Sequence, residues 1–226
     1  MNRRACLASL PAVLLTGCGS PHCRAPGVPR DIRRRAQRAG LVEVRDLAPD
    51  VSIDLRYRTA ANVTGRPLYP SDMPCLLRRS TAERLAAAQA RLRTQGYGLR
   101  IWDGWRPPEA HQRLHDHGQS TGLFLNPDSG WSRHCGGISV DATLIDSKGR
   151  EQAMPTYFDE NLAAAASDTR HPSPTVRSNL RRLHEAMEEA GLKPLPGEWW
   201  HFDDLEFLYT SIPVIRARDL AIVLPE

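Results

Sequence analysis

The chain has 226 residues, 41% of them hydrophobic and 25% charged, which is the composition of a soluble globular protein large enough for one domain with a real core. Its formal charge of +4 comes from 30 basic and 26 acidic residues, and setting aside Arg3 and Arg4, which sit in a targeting segment, leaves 28 against 26. That near balance carries no electrostatic footprint for nucleic acid, and none is expected as a partner.

Residues 1–17 read as a signal peptide: a basic start, an apolar run at 5–15, and small residues before a cysteine. The run is too short to span a bilayer. The stretch "LTGC" at 15–18 resembles the lipobox of bacterial lipoproteins, which implies cleavage before Cys18, acylation of Cys18 and a membrane partner through that lipid anchor. Gly19 stands where an aspartate would mark inner-membrane retention, so the same resemblance implies a periplasm-facing lipoprotein of the outer membrane. Residues 18–40, rich in Pro, Gly and Arg, read as a flexible tether, and the folded domain is expected over 41–226. Cys23, Cys75 and Cys135 remain after cleavage. A Cys23–Cys75 disulfide is open to them in an oxidising compartment, but spacing does not assign it.

In chain order, "VSIDLRY" at 51–57 alternates as a strand, and residues 58–74 carry the Gly and Pro content of a long ordered loop. "STAERLAAAQARLRTQG" at 80–96 predicts a helix, with Ser80 and Glu83 in capping-box spacing and Gly96 as its stop. "LRIWD" follows as a strand, then "PPEAHQRLHDHG" as a helix opened by two prolines. "ISVDATLI" is a strand with Ile138, Val140, Ala142 and Leu144 on one face and Ser139, Asp141 and Thr143 on the other. "TVRSNLRRLHEAMEEAG" is a third helix, and "GEWWHF" closes the pattern. Helices and strands mix without a regular βαβ rhythm, which predicts an α+β fold with a mainly antiparallel sheet flanked by helices.

"SRHCGGISVD" and "EWWHF" hold the chemistry. A catalytic zinc takes three N or O ligands and keeps one position open. His134, Asp141 and His201 would supply two imidazoles and a carboxylate, and Glu198 would be the base that activates water at the metal. On a regular strand Glu198 and His201 face opposite ways, so the chain must bend at Trp199–Trp200 for both to meet one ion. Spacing alone favours the blander reading, an aromatic core strand with a satisfied histidine, and periodicity does not settle it. His111 and His115 form a rival pair at i and i+4, but "HQRLH" lacks the glutamate of H-E-x-x-H and a third ligand beside it.

The pattern S-x-H-x-x-G-x-[AS]-x-D at 132–141, followed by E-x-W-H at 198–201, resembles the VanX-type D-alanyl-D-alanine dipeptidases, zinc enzymes of the hedgehog/D,D-peptidase superfamily. "WDGWRP" at 102–107, "YRTAANVTGRPLY" at 57–69 and "AMPTYFDE" at 153–160 extend the likeness in the family's order. The resemblance implies one zinc ion on His134, Asp141 and His201, Glu198 as base and Arg106 as the group that stabilises the oxyanion. It also implies substrate contacts from Ser132 and Tyr57, and a structural or orienting role for Asp159. Arg133, Cys135, Ser139 and Pro155 depart from the family's usual residues, which puts substrate preference in more doubt than hydrolysis. The expected activity is zinc-dependent hydrolysis of D-alanyl-D-alanine to two D-alanines. The alternatives are a peptidoglycan D,D-carboxypeptidase or endopeptidase acting on stem peptides, and a non-catalytic zinc-stabilised lipoprotein that binds wall fragments.

Overall fold

A computed structural model describes residues 27–160, 171 and 173–226. The signal segment, Cys18 and Cys23 lie outside the described residues, and with them the expected acylation and the Cys23–Cys75 pairing. Among the described residues no helix is long and apolar enough to cross a membrane.

The expected α+β architecture is present. Five strands form the main sheet in the order β2 (Ser52–Ile53), β4 (Tyr97–Asp103), β5 (Ser139–Asp146), β7 (Glu198–Asp204) and β6 (Leu192–Leu195). Only β2 and β4 pair in parallel; the other pairs are antiparallel. A two-stranded antiparallel ribbon of β1 (Leu41–Glu43) and β3 (Leu76–Arg78) stands beside it. The helices are α1 (Arg30–Arg38), α2 (Arg79–Thr94), α3 (Pro108–Gly118) and α4 (Pro174–Glu189). α2 and α4 pack on each other, with Leu85 and Leu92 from one and Leu180, Leu183 and Met187 from the other fully buried. Period-2 alternation buries Val140, Ala142, Leu144 and Phe202 in the same core. It turns Ser139, Asp141, His201 and Asp203 to the other face of the central ladder, where Asp141 pairs across His201 and Ser139 across Asp203.

Three local expectations change. Residues 30–38 belong to a helix rather than to a tether: Ala36 is buried and Ile32 and Ala39 pack on the core, so one narrow apolar stripe suffices despite five arginines in the helix. The Ser80–Glu83 capping box does not form, because α2 starts at Arg79 straight out of β3, whose last residue Arg78 donates its N–H to the Gly137 carbonyl at 2.7 Å. The strand expected at 51–57 shrinks to Ser52–Ile53. Its remainder closes a 3₁₀ turn at Arg56–Arg58 that drives Tyr57 into the interior.

Candidate active site

His134 sits in a 3₁₀ turn, Arg133–Gly136, whose start is capped by the Ser132 hydroxyl accepting from the His134 N–H at 3.4 Å. The His134 carbonyl accepts from the Arg106 N–H at 3.1 Å and the Gly137 N–H at 2.9 Å, so its backbone is fixed from both sides. Gly137 has φ +72°, and a Cβ there would lie 2.5 Å from Leu41 Cδ2; only glycine lets the chain turn into β5. Gly137 is thus the hinge that returns the chain from the ligand to the strand carrying Asp141.

The three sequence-assigned ligands converge. His201 Nδ1 is 3.0 Å from Asp141 Oδ1, His134 Nε2 is 3.2 Å from the same oxygen, and the two ring nitrogens are 3.1 Å apart. They are also the one group of three metal-type side chains found together among the described residues. Each imidazole is anchored through its far nitrogen. His134 Nδ1 donates to the Gly104 carbonyl at 2.7 Å, and His201 Nε2 donates to Asp203 Oδ1 at 3.0 Å. A carbonyl only accepts, so Nε2 of His134 carries a lone pair, and the Asp203 contact leaves Nδ1 of His201 as the inward atom. Two imidazole lone pairs and a carboxylate oxygen pointed at one spot repel unless a cation or proton lies between them. The set of two nitrogens and one oxygen fits a divalent ion of zinc type. The titration directions say the same. Burial works against a charged His201, but its bonds to Asp141 and Asp203 outweigh it and hold the pKa well above the usual histidine value. Burial also works against a charged Asp141, and His134 and His201 overcome it to keep that carboxyl far below the usual range.

Glu198 opens β7 with its Oε2 3.8 Å from His201 Nδ1. The bend that the sequence required is visible in the β6–β7 ladder, where Pro194 faces Phe202 but the next residue, Leu195, already faces Glu198. Residues 199–201 are accommodated as a bulge, and the parity between Glu198 and His201 is broken there. Burial raises the Glu198 pKa above the ordinary carboxyl value. Arg106 follows a second irregularity, between Ile101 and Asp103 on β4. Its Nε donates to Asp103 Oδ2 at 2.7 Å, its Nη2 reaches Asp141 Oδ2 at 3.4 Å, and its guanidinium lies 4.9 Å from the centre of the Tyr57 ring.

These groups line a cavity of about 270 Å³ with Ser132, Asp159, His111 and the loop residues Leu123, Phe124 and Leu125. Tyr57 does not line it. Its exposure is 0%, its hydroxyl donates to Asp159 Oδ2 at 2.8 Å and its ring lies beneath Arg106, which corrects the expectation of a substrate contact to one of support. Asp159, in contrast, lies on the cavity wall, in a left-handed backbone conformation with φ 54°. Burial pushes its carboxyl up to about 8. The rival histidine pair is divided: His111 is buried with Nε2 donating to the Leu125 carbonyl at 2.9 Å, while His115 Nδ1 lies 3.4 Å from Asp116. Cys135 is a packed thiol that burial pushes up to about 12, so it competes poorly for a cation.

Sequence reasoning missed Asp203 and Asp103. Asp203 had a signal, because a residue two positions beyond His201 on a strand shares its face. It accepts the Ser139 hydroxyl at 2.5 Å and faces Arg133 Nε at 3.4 Å, so two of the departures from the family pattern meet at the carboxylate that orients His201. Leu123–Leu125 had none, since nothing local marks a loop as a cavity wall.

A buried cation site flanked by an acid and an arginine answers what peptide-bond hydrolysis asks for, and the class so defined is a metallopeptidase. The chain belongs to the Peptidase_M15 family, described as D-ala-D-ala dipeptidase, whose model matches residues 37–213. It is similar to the D-alanyl-D-alanine dipeptidase of Escherichia coli K12, with 32% identity over 165 residues, covering 72% of this chain and 83% of that protein. Proteins of the same name from Enterococcus faecium and Streptomyces coelicolor are 27% and 28% identical, covering 72% and 70% of this chain and 90% and 88% of theirs. Among solved structures the chain is similar to the LdcB LD-carboxypeptidase, with a TM-score of 0.43 and 16% identity over 74% of this chain and 68% of that one.

Proposed function

We propose that the protein hydrolyses D-alanyl-D-alanine to two D-alanines with zinc held by His134, Asp141 and His201. The observation that carries this reading is the convergence of those three donors, with their outer atoms anchored, on the cavity that Glu198 and Arg106 line. Zinc bound there supplies the Lewis acidity that polarises a peptide carbonyl and acidifies water. Glu198 takes the proton of the attacking water and hands it to the leaving amine, which requires one carboxylate within reach of both. Arg106, fixed on Asp103 and Asp141, presents a rigid cation where negative charge develops on the carbonyl oxygen. Asp159 offers a buried carboxyl that ionises when a substrate ammonium pairs with it. The relatives' shared name supports the substrate, and a cavity of about 270 Å³ lies at the small end for ligand sites, as a dipeptide requires. The lipobox-like stretch supports a location on the periplasmic side of the envelope, with the domain held by a lipid on Cys18.

The test follows D-alanine release from D-alanyl-D-alanine by the zinc-loaded protein beside a Glu198→Gln variant. Release that falls by about 10²–10⁴-fold in the variant is the expected result. A zinc-loaded wild type that releases no D-alanine would overturn the reading.

A further inference from the structure

Helix α1 has two unlike faces. Ile32, Ala36 and Ala39 pack on the core. With about 100° of rotation per residue, Arg30, Arg34 and Arg38 project from the opposite side as one ridge about 12 Å long. Arg35 flanks the ridge. All four arginines are exposed, with no ion pair to another described residue. Arg33 differs, being half-buried and paired with Asp46. The contrast with α2 is complete, because Arg79, Arg84, Arg91 and Arg93 on that helix each meet a carboxylate. Asp31 is the one acid of α1, so its outer face keeps a surplus of positive charge.

A run of charge is usually a solvated face, but local energetics do not account for this one. Like charges at i and i+4 repel, so the pairs Arg30–Arg34 and Arg34–Arg38 each weaken the helix. The helix dipole favours Arg35 and Arg38 in the last turn and opposes Arg30 in the first. A negative surface laid along the ridge offsets both penalties. Guanidinium groups suit phosphate oxygens in particular, to which they donate in pairs.

The place of the helix in the chain selects the surface. Arg30 lies twelve positions after Cys18. A lipid on Cys18 therefore keeps α1 within about 40 Å of a bilayer, however the intervening chain runs. Docking then becomes intramolecular, and a weak contact suffices. A soluble polyanion gains nothing from that tether. We infer that the arginine ridge of α1 docks on a bilayer carrying anionic phospholipid headgroups and orients the domain on it. The choice of a bilayer over a soluble polymer rests on the anchor proposed at Cys18; the unpaired charge does not.

The full chain with Cys18→Ser takes acylation out of the test. Its partition onto vesicles of phosphatidylcholine, and of phosphatidylcholine mixed with phosphatidylglycerol, is measured beside two variants. One combines Arg30→Gln, Arg34→Gln, Arg35→Gln and Arg38→Gln, and the other makes the four matching changes to lysine. Residues 1–29 are common to all three proteins, so their contribution cancels. At about fivefold per arginine, the glutamine variant should lose about 10²–10³-fold on mixed vesicles, while the lysine variant stays within about threefold of its parent. Neither should change on phosphatidylcholine alone. Raising the salt from about 0.1 M to about 1 M shortens the screening length from about 10 Å to about 3 Å and should release the parent. Equal partition of the parent and the glutamine variant overturns the inference. So does polyglutamate bound as tightly as the mixed vesicles, which would assign the ridge to a soluble polymer. On the wild-type chain, amide exchange across residues 30–38 should slow on mixed vesicles relative to neutral ones; equal exchange overturns the docking without recourse to any variant. The mass of the wild-type chain taken from membranes reads acylation separately. An unmodified Cys18 would remove the anchor, and the arginine contrast would still decide the ridge.

Discussion

At the scale of single residues, the site depends on atoms that never face its centre. An imidazole serves as a ligand only when its other nitrogen is held, because that bond fixes both tautomer and ring plane. His134 is held by a backbone carbonyl, which mutation cannot delete, but His201 relies on the side chain of Asp203. Asp203 in turn is fixed by Ser139 and by Arg133. Asp203→Ala is therefore expected to weaken zinc binding by about 10–100-fold, read by competition with a chromogenic chelator. Ser139→Ala, which removes one bond to that carboxylate, should cost about 1 kcal/mol of the same binding free energy. Unchanged zinc affinity in Asp203→Ala would mean that His201 is oriented by packing alone. Arg106 is placed by the same kind of indirect support, from Asp103 at one end and the Tyr57 ring beneath it.

At the scale of elements, much of the fold was legible in the sequence for local reasons, whereas the donor set was left open by spacing and was named through the family resemblance. The apolar rows of α2 and α4 have a clean 3.6-residue period, and Gly96 and Gly191 end them at φ +78° and +85°. Alternation put Asp141 on the face away from the core, where β7 sets His201 opposite it. The bend at residues 199–201 followed from the sequence only on the condition that Glu198 and His201 meet one ion, and the bulge at Trp102 was not readable, because a break in register is a property of two strands and not of either one. Nor was the placement of Tyr57, whose burial is decided by Arg106 and Asp159, 49 and 102 positions away in the chain. Helix α1 was hidden by its arginines. It closes over β1 and leaves Glu43 on that strand half-buried, with Oε2 lacking a hydrogen-bond partner. Burial, reinforced by the nearby Asp46, raises the Glu43 pKa from 4.5 to about 7. Below pH 4.5 both folded and unfolded chains hold that proton. Between 4.5 and 7 the unfolded chain gives it up and the fold keeps it, so stability falls as pH rises through that window. Glu43→Gln should remove the fall and unfold about 1 kcal/mol harder than wild type at pH 8, with the gap closing toward pH 5. Parallel denaturant curves at both pH values check this, and a gap independent of pH would assign the effect to packing.

At the scale of the whole molecule, the three donors come from layers that the sheet alone does not join. Asp141 and His201 belong to the central ladder, whereas His134 belongs to a turn tied to β3 through Gly137, to the segment before α3 through Arg106, and to the C-terminal region through the Cys135 carbonyl and the Ile215 N–H at 2.9 Å. A cation bound to all three cross-links the ladder to that outer layer, and it replaces the mutual repulsion of converging lone pairs with attraction. Binding free energy of this kind is folding free energy, since the unfolded chain has no such arrangement of ligands. Free zinc at about a thousand times its dissociation constant should stabilise the native state by about 4 kcal/mol. For a domain of this size that raises Tm by roughly 8–16 °C. A chelator should lower Tm by the same amount, and His134→Ala should lower it without further response to chelator or zinc. A Tm that ignores the chelator while D-alanine release stops would confine the metal to the chemistry, and the outer layer would then be held by its backbone bonds alone.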